Sequence, residues 1–191
     1  SWPAWEPALS TSEPSLGERG LDPSVDTVSA LRSVRVRVPV PVTERVLAGE
    51  SINEALLTAL ALAVASVRGG DTVRVELEGH GREEDVVPGA DISRTVGWFT
   101  SMFPVALDLT GIDIGDALEG GPAAGDALAR ATRSLRALPD NGVGFGVLHR
   151  FNPEFADRFA GYRRPEVVFN YLGRMTLGEE TGAPWSGAPE A

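Results

Sequence analysis

The chain has no cysteine and no lysine; all 17 of its basic side chains are arginine. The first absence excludes a disulfide framework, thiol catalysis and cysteine-ligated metals, and it fits a reducing compartment. The second excludes lysine chemistry, Schiff bases included. Isoleucine is scarce while Ala, Gly, Val and Arg abound, a bias that matches a GC-rich coding sequence rather than a physical adaptation. Histidine occurs only at His80 and His149, with no clustered carboxylate pattern of metal-ligand spacing, so no metal site is expected. Long hydrophobic runs are also missing. The longest, residues 59–65, is far shorter than the roughly 20 apolar residues a membrane helix needs. No basic stretch followed by an apolar one reads as a signal peptide, and a cytoplasmic location is expected. Positive charge is in deficit, 17 basic against 27 acidic side chains for a net −10. That removes the electrostatic term on which nucleic-acid binding depends and disfavours anionic membrane surfaces.

What is present is enough for a core. The 191 residues are 42% hydrophobic and 23% charged, which suits one domain or two small lobes and argues against disorder. Residues 1–30 are rich in Pro, Ser and Gly and read as an irregular lead-in rather than a core element. Val34, Val36, Val38 and Val40 alternate with Arg35, Arg37 and Pro39, the period of a half-buried strand. Thr43 is placed to cap a short helix over 44–48. Asn53 and Glu54 open a helix over 55–67, apolar nearly all round and so expected to be buried, which Gly69-Gly70 ends. A second strand over 73–77 leads into Glu78-Gly79-His80-Gly81-Arg82-Glu83. A further strand over 105–109, a helix over 123–138, a glycine-rich turn over 139–146, a short helix over 153–159 and a last strand over 167–171 follow. Strands alternating with helices indicate an α/β layer structure.

Three stretches carry candidate chemistry. The 78–83 block lies just past a strand end, where α/β folds place functional residues. Its residues alone read as a polar turn with a surface salt bridge, or as a turn presenting His80 as base or ligand. Arg94-Thr95-Val96-Gly97-Trp98-Phe99-Thr100 reads as core packing, with Arg94 stapling a neighbouring loop. Asn170 and Tyr171 end an otherwise apolar strand, and a buried amide or phenol there requires partners. The 139–146 run lacks Lys-Ser/Thr and a helix behind it, so it is read as a turn and not a nucleotide loop.

Taken in order, residues 53–59 (NEALLTA), 78–83 (EGHGRE), 94–104 (RTVGWFTSMFP), the 139–146 turn and 169–173 (FNYLG) resemble the epimerization domain of nonribosomal peptide synthetases, in the condensation-domain superfamily. The resemblance runs over about 21–174, with 1–20 as a lead-in or linker and 175–191 as a polar, truncated tail. It implies a chloramphenicol-acetyltransferase-like lobe, a mixed β-sheet flanked by helices that forms half of a V-shaped two-lobe domain. The family's HHxxxDG motif belongs to the other, N-terminal lobe, and no His-His pair exists here, so the chain is similar to the C-terminal lobe alone and is expected to be inactive without its counterpart. Phe103 and Phe145, where the family often has tyrosine, and Glu54, where it usually has aspartate, are conservative departures.

The resemblance implies inversion, L to D, of the α-carbon of an aminoacyl or peptidyl thioester on the phosphopantetheine arm of a peptidyl carrier protein, with no tightly bound cofactor. Glu78 and Tyr171 match the family's active-site glutamate and tyrosine. Asn170, Arg94, His80 and Trp98 are assigned supporting roles. Adjacent synthetase domains and the N-terminal lobe are the implied partners. Two other readings stay open: a condensation-type, peptide-bond-forming domain, which generally lacks EGHGRE, and a non-catalytic module that docks carrier proteins.

Overall fold

A computed structural model describes residues 2–11, 15–49, 52–86 and 88–173; the tail expected after Gly173 lies outside the described residues. Its centre is a three-stranded mixed sheet in the order β2-β1-β3, formed by β1 (Thr72–Gly79), β2 (Ser101–Asp108) and β3 (Val167–Phe169). β1 runs antiparallel to β2, with Val73 opposite Leu107, Val75 opposite Val105 and Leu77 opposite Phe103. Parallel β3 sets Leu77 opposite Phe169.

Side chains alternate across a strand, so a strand buried at consecutive positions is covered on both faces. β1 is buried at every position from Val73 to Leu77, Arg74 and Glu76 included. The period-two pattern places Arg74 and Glu76 on a solvent face; the fold covers that face as well.

Around the sheet stand α3 (Ile52–Arg68), α4 (Ile114–Leu118), α5 (Pro122–Arg136) and α6 (Val143–Phe151). Helix α3 buries one stripe, Leu57, Thr58, Ala61, Leu62, Val64 and Ala65, and leaves Val67 exposed, so it is amphipathic by position although apolar by composition. It stops at Gly69, whose φ of +74° is one that L side chains rarely adopt. Helix α5 starts on Pro122, ends with Arg133 and Arg136 against the negative pole of its dipole, and buries the small faces of Ala127 and Ala131.

Four expectations are corrected. The lead-in contributes to the core: in and beside α1 (Glu6–Ser10), Trp5 is fully buried and Ala8 nearly so, and the indole meets Phe103 and Phe145 edge-on or tilted at 6.1 and 5.2 Å. Burying an indole removes on the order of 200 Å² of surface and contributes roughly 5 kcal/mol. Residues 33–39 are exposed and form no strand, and Val40 instead begins α2 (Val40–Ala48). That helix starts four residues before the expected position because Pro41 supplies a pre-set φ in its first turn, while Thr43 Oγ1 bonds back to the Pro39 carbonyl at 3.2 Å. Finally, the 139–146 turn ends at Gly142, and α6 begins directly behind it.

Candidate active site

The C-terminal ends of parallel β1 and β3 lie side by side, so the register that pairs Leu77 with Phe169 carries Glu78 and Asn170 to the same edge. Asn170 Nδ2 donates to Glu78 Oε2 at 2.5 Å. Two segments 92 residues apart in sequence are joined by this bond, and the donor is neutral. Glu78 is half-buried and lines a cleft of about 340 Å³ with Asn53, Glu54, His80, Glu83, Arg136 and Asn141.

Gly81 makes the 78–83 turn possible. Its φ is +69°, and a Cβ there would stand 1.5 Å from the Phe99 carbonyl oxygen. The close approach ties this turn to the 91–100 loop. Arg82 completes the tie, donating to the Ile92 carbonyl at 2.7 Å and the Thr95 carbonyl at 2.9 Å with its guanidinium 4.4 Å above the Phe99 ring. The staple expected of Arg94 is made by Arg82.

His80 is held at both nitrogens. The Arg82 backbone N–H donates to Nδ1 at 3.0 Å, so the neutral ring carries its proton on Nε2, which faces Glu83 Oε1 at 3.3 Å. Glu83 also accepts from Asn141 Nδ2 at 2.7 Å. Asn141 and Asp140 hold φ near +50°, and Gly142 follows at +89°, where a Cβ would strike the Phe103 ring. Left-handed backbone is uncommon for residues other than glycine, and of Asp140 and Asn141 it is Asn141 that lines the cleft.

The expected residues therefore divide. Glu78, His80 and Asn170 come together. Tyr171, one residue past Asn170, is half-buried but does not line the Glu78 cleft. Arg94 and Trp98 are exposed, Trp98 at 91%, which corrects the expectation of core packing for 94–100; only Phe99 of its apolar residues turns partly inward. Sequence reasoning missed Glu83 and Asn141, whose partnership spans 58 residues with no local signal.

It also missed a second set of polar groups on β1. Glu76 is 3% exposed and is paired by Arg164 Nε at 3.3 Å. Arg74 Nη2 donates to the Arg163 carbonyl at 2.5 Å. Nearby, burial first and the Glu76 charge second push the Tyr162 phenol up to about 12. Tyr162, Glu76 and Arg164 line a second cleft of about 380 Å³ with Phe99, Met102 and Phe151. Among the described residues no group of three or more His, Asp or Glu side chains is placed to hold a metal, and no helix is long and apolar enough to cross a membrane.

Likeness to known proteins settles the family. The condensation-domain family model matches residues 46–184. The chain belongs to the condensation-domain family. A linear gramicidin synthase of Brevibacillus parabrevis is 41% identical over 142 residues, covering 73% of this chain and 2% of that protein. Chondramide synthase of Chondromyces crocatus is 43% identical over 142 residues, 74% of this chain and 3% of its own length. This condensation-family domain thus spans a few per cent of the peptide synthetases it matches. Among solved structures, the epimerization domain from the third module of tyrocidine synthetase B aligns with a TM-score of 0.59 at 34% identity, covering 71% of this chain and 30% of that one. The mixed sheet flanked by helices is the architecture of a condensation-superfamily lobe.

Proposed function

We propose that this condensation-family domain is the C-terminal lobe, over about 21–174, of an epimerase that inverts the α-carbon of an aminoacyl or peptidyl thioester on a carrier protein's phosphopantetheine arm. The observation that carries the reading is the Glu78–Asn170 pair at the adjoining ends of β1 and β3. It is built from the same two motifs, EGHGRE and FNYLG, that resemble the epimerization branch. Similarity to a solved epimerization domain supports it.

The reaction removes one proton from Cα to give the thioester enolate and returns one proton to the opposite face. A weakly acidic C–H requires a positioned base and a group that stabilises the enolate oxygen. Glu78 offers a carboxylate on the cleft wall, and Asn170 holds it through one oxygen. Tyr171, in the same strand-end segment, supplies a phenol to donate a proton or a hydrogen bond. The N-terminal lobe with its HHxxxDG motif faces this edge and supplies the opposite side of the cleft. Carrier protein and neighbouring synthetase domains are the partners.

The test is solvent-deuterium incorporation at Cα of an aminoacyl thioester on a carrier protein. Exchange is expected when the N-terminal lobe is supplied and absent with this chain alone. A condensation-type role is the second reading, supported by the family match itself. It predicts no Cα exchange and a requirement for a second, acceptor carrier protein. Carrier binding without either activity would mark a docking module.

A further inference from the structure

Residues 31–39 carry a conflict between sequence and surroundings. The alternation of Val with Arg over 34–38 is a strand pattern, while the backbone over 31–39 belongs to neither a helix nor a strand and meets α2 at Pro39 with φ −58° and ψ 142°. Yet among the described residues no backbone hydrogen bond engages residues 33–38. Leu31, Val34, Val36 and Val38 are 70, 89, 78 and 53% exposed. Scattered exposed apolar side chains are ordinary, but a row at i, i+2, i+4 (Val34, Val36 and Val38) beside a backbone with free hydrogen-bonding groups is what an unpaired strand would present. A strand in that state awaits pairing by β-augmentation.

The arginines define the partner. In an antiparallel pairing of two copies centred on Val36, residue 35 falls opposite 37, and Val34 opposite Val38. Arg35 would then face Arg37 twice, and like charges directly opposite are destabilising. Self-association is therefore opposed, while an edge bearing carboxylates at alternate positions is favoured. The chain covers only 30% of the solved epimerization domain it resembles. We propose that residues 32–39 form a β-strand only on pairing with an edge strand of alternating apolar and acidic side chains in the portion of the two-lobe domain that this chain does not contain. The identity of that partner rests on the epimerization-lobe reading; the pairing chemistry does not.

The test uses the chain as it stands. Sedimentation equilibrium at high micromolar concentration should find the wild type monomeric. Arg35→Glu turns both repulsive pairs into Glu–Arg pairs and should dimerise. Adding Arg37→Glu restores like-charge pairs and should return the monomer. In parallel, a synthetic Thr-Val-Glu-Val-Glu-Val-Thr peptide should slow amide exchange of 33–38 about tenfold more than its Val-Lys counterpart. A wild-type dimer, equal protection by both peptides, or protection by neither overturns the proposal. These readouts are independent of catalysis. Pairing without Cα exchange in any reconstitution removes the epimerase reading alone; Cα exchange in a two-lobe domain whose 33–38 amides stay unprotected removes this one alone.

Discussion

Glu76 and Glu78 lie two residues apart on one strand and are treated in opposite ways. Glu76 is 3% exposed and meets the Arg164 guanidinium, so its charge is neutralised where it is buried. Glu78 stands at the strand end, half-buried on a cleft, and its partner among the described residues is the neutral amide of Asn170. A cation beside a carboxylate offsets its charge; a neutral donor orients it without offsetting that charge. The same residue type in the same strand becomes scaffold in one case and a candidate base in the other. What separates them is the partner, and the partner comes from elsewhere in the chain.

The largest effect that would break this contrast is on catalysis. Glu78→Gln keeps the shape and the Asn170 neighbour but removes the base. In a reconstituted two-lobe domain it should slow Cα deuterium exchange by at least about 10²-fold with an unchanged thermal midpoint. Exchange at the parental rate would make Glu78 as structural as Glu76. The reverse is expected of Glu76→Ala. Arg164 is 59% exposed, so it can turn to solvent, and the loss is the buried contact rather than a stranded cation. A destabilisation of about 1–3 kcal/mol follows, or roughly 3–10 °C in thermal midpoint. The exchange rate per folded molecule should hold.

The sequence exposes this division only in part. The strands over 73–77 and 105–109 and the helices over 55–67 and 123–138 are legible because their periods are local, and the structure has all four. Glu78, His80 and Asn170 stand out as candidates through the resemblance of EGHGRE and FNYLG to the family's motifs rather than through any local period. Three things are not. Both faces of β1 are covered, so period two labels Glu76 and Arg74 as solvent-facing when packing buries them. Trp5 lies in a Pro- and Ser-rich stretch whose composition resembles a linker, yet it completes an aromatic cluster formed by α6. The alternation over 34–40 predicts a strand that is not formed, because a strand needs a paired edge and the pattern cannot supply one.

A smaller effect tests the Glu78 side again. Tyr171→Phe removes one hydroxyl and little volume, so stability should hold while Cα exchange falls about tenfold, the lower range for one lost proton-transfer or enolate contact. Unchanged kinetics would reduce Tyr171 to packing and leave Glu78 to act with the opposite lobe alone.

The smallest effect gives the sharpest separation of the two carboxylates, because it reads charge directly. The chain has two tyrosines. Tyr162 is pushed up to about 12 by burial and then by the charge of Glu76, partly offset by Arg74 and Arg164. Its folded value lies above the unfolded value of about 10. It therefore contributes stability that is fully present below about pH 10 and is lost as pH rises from there toward 12. Glu76→Gln removes the second cause and leaves the first, so the phenol should titrate lower yet still above an ordinary tyrosine, read by ultraviolet absorbance of the phenolate. Glu78→Gln should leave that transition where it is. If both substitutions move it equally, the two carboxylates share one electrostatic environment, and the contrast between a neutralised and an available charge fails.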